Sequence, residues 1–89
     1  MQYMVIEKFI PGRVKDLYQR YAETGRMLPE GVQYLNSWIS KDLRYCYQLM
    51  EADSIDSLNL WIANWDDLAD FEVVPVISSE EARTKVLGH

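Results

Sequence analysis

The stretch RYCYQLMEA, from Arg44 to Ala52, decides the fold because it has the pattern of a β-strand with two unlike sides. One side is entirely apolar or aromatic and holds Tyr45, Tyr47 and Leu49. The other side is mixed and holds Cys46, Gln48 and Met50. A side exposed to water does not favour cysteine and methionine, and a buried side does not favour glutamine. The strand therefore predicts an enclosed surface that contains at least one polar group.

The flanking sequence supplies three more strands and three helices. The other predicted strands are Tyr3–Phe9, Val32–Ser40 and Phe71–Ile77, the last at a sheet edge because Pro75 cannot donate to a ladder. The predicted helices are Arg13–Thr24, a segment capped by Asp53 or Ser54 with an apolar stripe ending at Trp65, and a short C-terminal helix opened by Ser78. This βαββαβ order predicts an α+β, ferredoxin-like domain with a four-stranded antiparallel sheet and both helices of the repeat on one face.

Composition narrows the class of protein. The 89 residues predict one domain, residues 1–89, and the net charge of −5 argues against nucleic acid and anionic membranes as partners. Cys46 is the only cysteine, which excludes a disulfide within the chain and fits a reducing compartment. The N-terminus lacks the pattern of a signal peptide, and no apolar run could span a bilayer. We therefore expect a cytoplasmic protein.

The alternation of side chains predicts two sheet faces of different composition. An almost wholly apolar face is expected under the helices; it holds Met4, Ile6, Leu35, Ile39, Tyr45, Tyr47, Leu49, Val74 and Val76. A mixed face is expected to be open in a monomer; it holds Tyr3, Val5, Glu7, Tyr34, Asn36, Trp38, Cys46, Gln48, Met50, Phe71, Val73 and Pro75. So many apolar groups on an open sheet indicate an interface. We therefore expect a homodimer in which two mixed faces enclose a polar-lined space, with Gln48 enclosed and hydrogen-bonded.

Several segments resemble a small bacterial family of unknown function that is grouped with the dimeric α/β-barrel superfamily. They are YMVIEKF, GRMLPEG, YLNSWI, CYQLMEA and DFEVVPVIS, and the resemblance extends from Tyr3 to about Ala82. The resemblance implies two ferredoxin-like sheets that pair into a barrel. The superfamily includes cofactor-free monooxygenases, haem-dependent enzymes, isomerases and stress-response barrels, but this chain matches none of their catalytic signatures. The haem-binding branches are the least similar, since the only histidine is His89.

Seven residues are candidates for a ligand site on the mixed face and the loop that could cover it: Glu7, Arg26, Tyr34, Asn36, Trp38, Cys46 and Gln48. Glu7 could be a general base if burial by a dimer mate raises its pKa; it could instead pair with Arg44 or Lys8, or be solvated at a rim. Asn36 and Gln48 could orient a polar ligand, or could bond each other or a water across neighbouring strands. The remaining four residues have alternatives too. 

Tyr34 and Trp38 could wall an aromatic ligand or serve as core or interface. Cys46 is a nucleophile by residue type only, and an inert buried thiol is the competing interpretation. Arg26, in the loop GRMLPEG, could bind a carboxylate ligand or form an ion pair with Glu30.

Two functions remain open on the sequence. The first is a homodimeric barrel that binds a small organic molecule, with cofactor-free catalysis as an extension; Glu7 is its candidate catalytic residue. The second is a structural or protein-interaction module without a ligand. No metal site is expected because the sequence lacks HxxE, HxH and Cys/His clusters, and no cofactor is expected.

Overall fold

The computed structural model describes residues 1–88; His89 lies outside the described residues. The chain forms four strands and three helices in the order β1 (Gln2–Phe9), α1 (Val14–Thr24), β2 (Val32–Ile39), β3 (Tyr45–Ala52), α2 (Ile55–Ile62), β4 (Ala69–Val76) and α3 (Ser79–Leu87). The sheet order is β2-β3-β1-β4, and every pairing is antiparallel. The α+β, ferredoxin-like βαββαβ prediction is therefore confirmed, with Pro75 in edge strand β4.

Local sequence signals account for the helix ends. The Ser54 side chain accepts a hydrogen bond from the Ser57 N–H at the start of α2, and Ser78 accepts one from the Glu81 N–H at the start of α3. Helix α1 ends at Gly25, whose φ of 69° suits glycine and whose N–H donates to the Tyr21 carbonyl. Helix α2 is shorter than predicted and ends at Ile62, so Trp65 lies in the turns that follow the helix.

Helices α1 and α2 cover the mixed face of the sheet, so the predicted assignment of faces was wrong. Val5 and Met50 on this face are completely buried, and they belong to one core with Leu58 and Trp61 of α2. On the opposite face Tyr45, Leu49 and Met4 are only partly buried, and Tyr47 is 39% exposed. Helix handedness and strand order place the helices on one side of a sheet, but they do not fix which alternate side chains point to that side.

A β-bulge in β2 adds a second correction. The pairing with β3 shifts between Tyr34 and Asn36, which leaves Leu35 without a partner and reverses the alternation beyond it. Tyr34 pairs with Met50 on the helix-covered face, whereas Trp38 pairs with Tyr47 on the open face. The simple alternation predicts that Tyr34, Asn36 and Trp38 share one face. This prediction is wrong, because the bulge separates Tyr34 from the other two residues.

Helix α1 packs more lightly on the sheet than α2. Leu17 is the only buried residue of α1, whereas α2 buries Leu58 and Trp61. Truncation of a core residue such as Leu58 to alanine is expected to cost about 2–5 kcal/mol. The region beneath α1 is less completely filled, and this is where the polar residues of the covered face lie.

Candidate functional site

A cavity of about 210 Å³ lies between α1 and the covered face of the sheet. Its lining combines aromatic and aliphatic walls with a few polar groups; it consists of Glu7, Phe9, Leu17, Tyr18, Tyr21, Arg26, Ser37, Ile39, Cys46, Gln48, Trp61 and Trp65. An apolar pocket with a small number of convergent polar groups is the usual form of a small-molecule site. Four of the seven predicted site residues, Glu7, Arg26, Cys46 and Gln48, line it.

Strand register brings the polar floor of the cavity together. Glu7 on central strand β1 pairs with Cys46 on central strand β3, and Gln48 lies two residues farther along β3 on the same face. The Gln48 side-chain Nε2 donates a hydrogen bond of 3.1 Å to Glu7 Oε2. Both residues are buried, with 5% and 6% exposure respectively. The prediction that Gln48 is enclosed and hydrogen-bonded is confirmed, and its partner is Glu7 rather than Asn36.

The environment of Glu7 makes its carboxyl group titrate near neutrality. Burial disfavours the carboxylate and raises the pKa from 4.5 to about 7, while the neighbouring Cys46 thiol and the positive charge of Arg26 oppose the shift. Among residues 1–88 Glu7 forms no ion pair, so the expected alternative of pairing with Arg44 or Lys8 is wrong. Glu7 can therefore change protonation state in the range where general acids and bases operate.

Cys46 has the properties of a protonated, structural thiol. It is 6% exposed, and burial together with the nearby Glu7 carboxyl raises its pKa far above the usual range. A nucleophilic cysteine requires the opposite environment, one that stabilises a thiolate. The geometry favours the inert alternative among the two expectations for this residue.

Arg26 is held at the cavity by aromatic residues on every side. The indole Nε1 groups of Trp61 and Trp65 donate to its backbone carbonyl, at 2.9 and 3.1 Å. Its guanidinium carbon lies 3.5 Å from the centre of the Tyr34 ring and 5.0 Å from that of Tyr21. Within residues 1–88 it forms no ion pair, so the expected pairing with Glu30 is wrong.

The structure separates Asn36 and Trp38 from this group. Both lie on the open face beyond the bulge, and Trp38 is 52% exposed. The Asn36 Oδ1 accepts a hydrogen bond from the Ser37 N–H, which makes it part of the bulge. Tyr34 stays on the covered face, where its hydroxyl bonds the Ser37 hydroxyl at 2.7 Å and its ring supports Arg26.

Sequence reasoning missed six aromatic and hydroxyl groups of the lining. They are Phe9 from β1, Tyr18 and Tyr21 from α1, Trp61 and Trp65 from the α2 region, and Ser37 from the strand segment beyond the bulge. Tyr18 recurs with Val14, Leu17 and Tyr21 at helical spacing, a pattern that indicates core packing, and only the inverted face brings that side of α1 over Glu7. Burial and the nearby Cys46 and Glu7 raise the pKa of the Tyr18 hydroxyl, which places it near the polar floor.

Two other features, a metal-binding cluster and a membrane-spanning helix, are not found in residues 1–88. No group of three His, Cys, Asp or Glu side chains within residues 1–88 could hold a metal ion. In the same range, no helix is both long and apolar enough to cross a membrane.

Comparison with known proteins gives a family but no precedent for the cavity. No curated protein and no solved structure matches the chain. A family model described as "Domain of unknown function (DUF3303)" matches residues 1–89, which is the full length of the printed sequence. The chain therefore belongs to the DUF3303 family.

Proposed function

We propose that this chain binds a small organic molecule in the cavity beneath α1 and that Glu7 exchanges a proton with the bound molecule. The observation that carries the proposal is a buried carboxyl group on a central strand, held by Gln48, at the floor of an aromatic-walled cavity. Candidate sites of this kind combine a concave surface with a titratable group shifted toward neutrality. The proposal includes cofactor-free acid–base chemistry, with Glu7 as the proton-transferring residue.

The energetic cost of Glu7 supports a functional role. A buried ionisable group without an ion-pair partner destabilises the fold at any pH where it is charged, and an apolar residue of similar size would fill the position without that cost. Glu7 lies on the same face as the buried Val5, two residues away on β1, and pairs with Phe71, which packs against the core. A carboxyl group at this position is therefore a poor choice for packing alone.

The alternative is a structural module with no ligand, and one observation favours it. Within the described residues no buried side-chain nitrogen or oxygen lacks a hydrogen-bond partner. Glu7 and Gln48 therefore satisfy each other, and the pair does not require a ligand to complete it. The two interpretations differ in whether a small molecule enters the cavity.

We also propose that two copies pair through the open face of the sheet and that the protein is cytoplasmic. The open face exposes apolar residues of three strands, among them Trp38 of β2, Tyr47 of β3 and Val74 of β4, beside the partly buried Ile6 of β1. A patch of this kind is typical of an interface, and sheet-to-sheet pairing is what the resemblance to dimeric α/β barrels implies. In such a dimer each subunit keeps its own cavity, on the side of the sheet away from the partner.

The three tryptophans provide the test, because their indole N–H signals in an NMR spectrum report on both faces. Trp61 and Trp65 line the cavity, whereas Trp38 lies on the open face and serves as an internal control. In a screen of single-ring fragments, binders are expected to shift the Trp61 and Trp65 signals and to leave Trp38 unchanged. If no fragment shifts these two signals, the small-molecule proposal fails and the structural alternative stands.

Matched variants then test the role of Glu7. Glu7→Gln keeps the size and hydrogen-bonding ability of the side chain but removes its titration. Glu72→Gln makes the same change on β4, at an exposed position paired with Ile6 on the opposite face. We expect Glu7→Gln to change the affinity of the fragments that bind and its pH dependence, and Glu72→Gln to change neither. Equal behaviour of the two variants would remove Glu7 from the site.

A further inference from the structure

Arg26 is a preorganised cation at the cavity with unused hydrogen-bonding capacity. A guanidinium group has five N–H donors, and within residues 1–88 the only side-chain hydrogen bond from Arg26 is from Nη1 to the Tyr21 hydroxyl, at 3.0 Å. The aromatic rings of Tyr21 and Tyr34 and the two indole bonds to its backbone hold it in place. Such a group binds a carboxylate with two parallel hydrogen bonds and loses little conformational freedom when it does so.

The charges of the cavity lining are unusually simple. Arg26 is its one basic residue and Glu7 its one acidic residue, and no ion pair joins them. The two are close enough for the charge of Arg26 to act on Glu7. The cavity therefore has one positive charge and one group whose negative charge depends on its protonation.

We propose that the ligand is a small aromatic monocarboxylate whose carboxylate pairs with Arg26, and that its binding is accompanied by the uptake of one proton onto Glu7. This inference rests on the proposed function and specifies its ligand class. In the binding step the proton comes from solvent and converts the Glu7 carboxylate to the neutral acid, while the ligand remains an anion. The neutral acid is the form of Glu7 that can then donate its proton to the bound molecule, as the proposed function requires. The neutral acid then has an O–H that can donate to the ligand or to a neighbouring oxygen.

The size and walls of the cavity support a single aromatic ring. A cavity of about 150 Å³ in another protein accommodates benzene, so the volume of about 210 Å³ here suits one ring that carries one carboxylate. Tyr18, Trp61 and Trp65 provide faces and edges against which a flat ring can pack.

Proton uptake follows from the way a buried cavity treats two neighbouring anions. A ligand carboxylate beside an ionised Glu7 would place two negative charges in one poorly solvated space, and this arrangement raises the pKa of the carboxyl group that can accept a proton. The other titratable groups that face Glu7 are Cys46 on β3 and Tyr18 on α1. The pKa of each is raised above its ordinary value, so both remain neutral near pH 7.

The remaining neighbours leave Glu7 as the group that changes charge. Tyr21 and Arg26 face the cavity from α1 and the loop after it, and arginine stays charged throughout the neutral range. The β4 neighbours of Glu7 on the covered face are Phe71 and Val73, and the β2 residues that line the cavity are Ser37 and Ile39, none of which titrates.

The experiment uses benzoate as the anionic probe and benzyl alcohol as the neutral one, with the full chain. Titration calorimetry at pH 8 in two buffers of different ionisation enthalpy gives the number of protons taken up. From a Glu7 pKa of about 7, benzoate should bind with uptake of about 0.9 proton at pH 8 and about 0.1 at pH 6. Its Kd should weaken about 90-fold from pH 6 to pH 9, whereas the Kd of benzyl alcohol should change little.

Three variants assign these effects to residues. In Glu7→Gln the pH dependence of benzoate binding should disappear, because the amide is neutral throughout. In Arg26→Gln the Kd for benzoate should rise at least tenfold, whereas the Kd for benzyl alcohol should not rise. The Kd for benzoate in Arg26→Lys should lie between those of the natural sequence and Arg26→Gln. The exposed Arg83 of α3 supplies the control Arg83→Gln, which should bind benzoate as the natural sequence does.

The outcomes separate this inference from the proposed function. If benzyl alcohol binds as tightly as benzoate, or if benzoate binds without proton uptake, the inference is overturned while the cavity remains a ligand site. If neither probe shifts the Trp61 and Trp65 indole signals while other fragments do, the ligand class is wrong and the function stands. If no fragment shifts those signals, both fail.

Discussion

The two faces of the sheet each hold residues that depart from the usual relation between polarity and burial. The covered face contains Glu7 and Gln48 and yet leaves each about 5% exposed to solvent. The open face carries large apolar side chains at its centre, and Trp38 and Tyr47 are 52% and 39% exposed. Packing within one chain favours polar groups outside and large apolar groups inside. These two departures are the observations behind the two proposals, a small molecule on the covered side and a second sheet on the open side.

The two faces also differ in what holds their side chains. On the covered face, directional contacts dominate near α1, since Gln48 donates to Glu7 and two indoles donate to the carbonyl of Arg26. On the open face the rings of Tyr45 and Tyr47 stack with their centres 6.2 Å apart. Directional contacts fix the orientation of side chains, whereas exposed rings leave a surface on which other apolar groups can pack.

The largest effect is expected from a charge placed in the middle of the open face. Tyr47→Lys would bury an unpaired ammonium group in the interface, which should weaken association by more than about 100-fold, or about 3 kcal/mol. The mass measured by light scattering should fall from dimer to monomer at micromolar concentration. Gln19→Lys, on the exposed part of α1, is the control and should leave the dimer intact.

The mass of the natural sequence, measured by light scattering, tests whether the open face is paired at all. If the unaltered protein is a monodisperse monomer at micromolar concentration, the open face is not paired, and its apolar composition needs another explanation. The covered face and its cavity would be unaffected by that result, because every residue that lines the cavity belongs to one chain.

The second largest effect is the loss in the free energy of unfolding that occurs when the buried Glu7 becomes charged. Its pKa is raised from 4.5 in the unfolded chain to about 7, so the folded protein binds more protons than the unfolded chain between these values. Stability from this group is fully present below about pH 4.5 and is lost as pH rises through 7. The size of the loss is about 3 kcal/mol.

Denaturant unfolding at pH 5 and pH 8 measures this loss when the natural sequence is compared with Glu7→Gln. The variant should gain stability relative to the natural sequence as pH rises, by about 2–3 kcal/mol over this range. Glu72→Gln on the exposed edge strand should show no such relative change. A constant difference between the natural sequence and Glu7→Gln at all pH values would mean that Glu7 is not buried as described.

Strand alternation predicts most of the covered face, but the polarity of the strand centres points to the wrong face as the covered one. Alternation correctly places Glu7, Cys46 and Gln48 together, and Gln48 is enclosed as predicted. Two polar residues indicate a less buried face, and this indication is wrong because Glu7 and Gln48 hydrogen-bond each other. A polar pair that satisfies itself and lines a cavity has no distinct signature in the pattern of one chain.

The ends of the strands hold a signal that points to the correct face. The mixed face continues into Phe9, Val32 and Ala52, all of which are buried. The apolar face continues into charged and amide residues that stay at or near the surface; these are Gln2, Lys8, Glu51 and Asp70. A buried face requires apolar residues over its whole length, so the strand ends distinguish the faces better than the strand centres do.

The bulge at Leu35 could not be predicted from the alternation of side chains along β2. A strand of eight residues gives no indication of one extra residue within it, since Tyr34, Asn36 and Trp38 form a regular series. The bulge moves Asn36 and Trp38 to the open face and brings Ser37 to the cavity. Two of the seven predicted site residues were lost from the cavity for this reason alone.

A third and smaller effect distinguishes the two amide side chains that the sequence grouped together. Gln48→Leu removes the donor to Glu7 and leaves a buried carboxyl oxygen without a partner, which should cost about 1–3 kcal/mol at pH 8. Asn36→Leu makes the corresponding change on the open face, where the lost bond is to the adjacent Ser37 N–H. It should cost less, and it should leave the pKa of Glu7 unchanged.

Measurement of the Glu7 pKa by NMR in both variants completes this test. Gln48→Leu should raise that pKa above about 7, because the variant loses a hydrogen bond to the carboxylate and keeps the burial. In the double variant with Glu7→Gln, the cost of Gln48→Leu should differ from its value alone, since the two groups contact each other. Additive costs would show that the hydrogen bond has no effect on stability.

The smallest effect is expected where α1 is fastened over the cavity. Arg20 of α1 donates two hydrogen bonds of 2.8 Å to the Asp67 carboxylate and one of 2.9 Å to the Asn64 carbonyl, while its guanidinium carbon lies 5.8 Å from the centre of the Trp65 ring. The pKa of Asp67 is lowered to about 2, chiefly by the hydrogen bonds from Arg20, so the pair is present above about pH 4 and is lost as pH falls through 2.

Arg20→Gln tests whether these contacts keep the helix closed over the covered face. Because the pair is solvent-exposed, the change in Tm should be smaller than that of Gln48→Leu and should shrink further in high salt. The informative measurement is amide hydrogen exchange, which should accelerate in α1, where Leu17 is the only buried residue, and stay unchanged in the sheet. Arg13→Gln breaks an ion pair with Asp16 inside the same helix and should accelerate exchange much less. If both variants accelerate exchange equally, the cavity opens by fraying of α1, and the contact with Asp67 does not control access to Glu7.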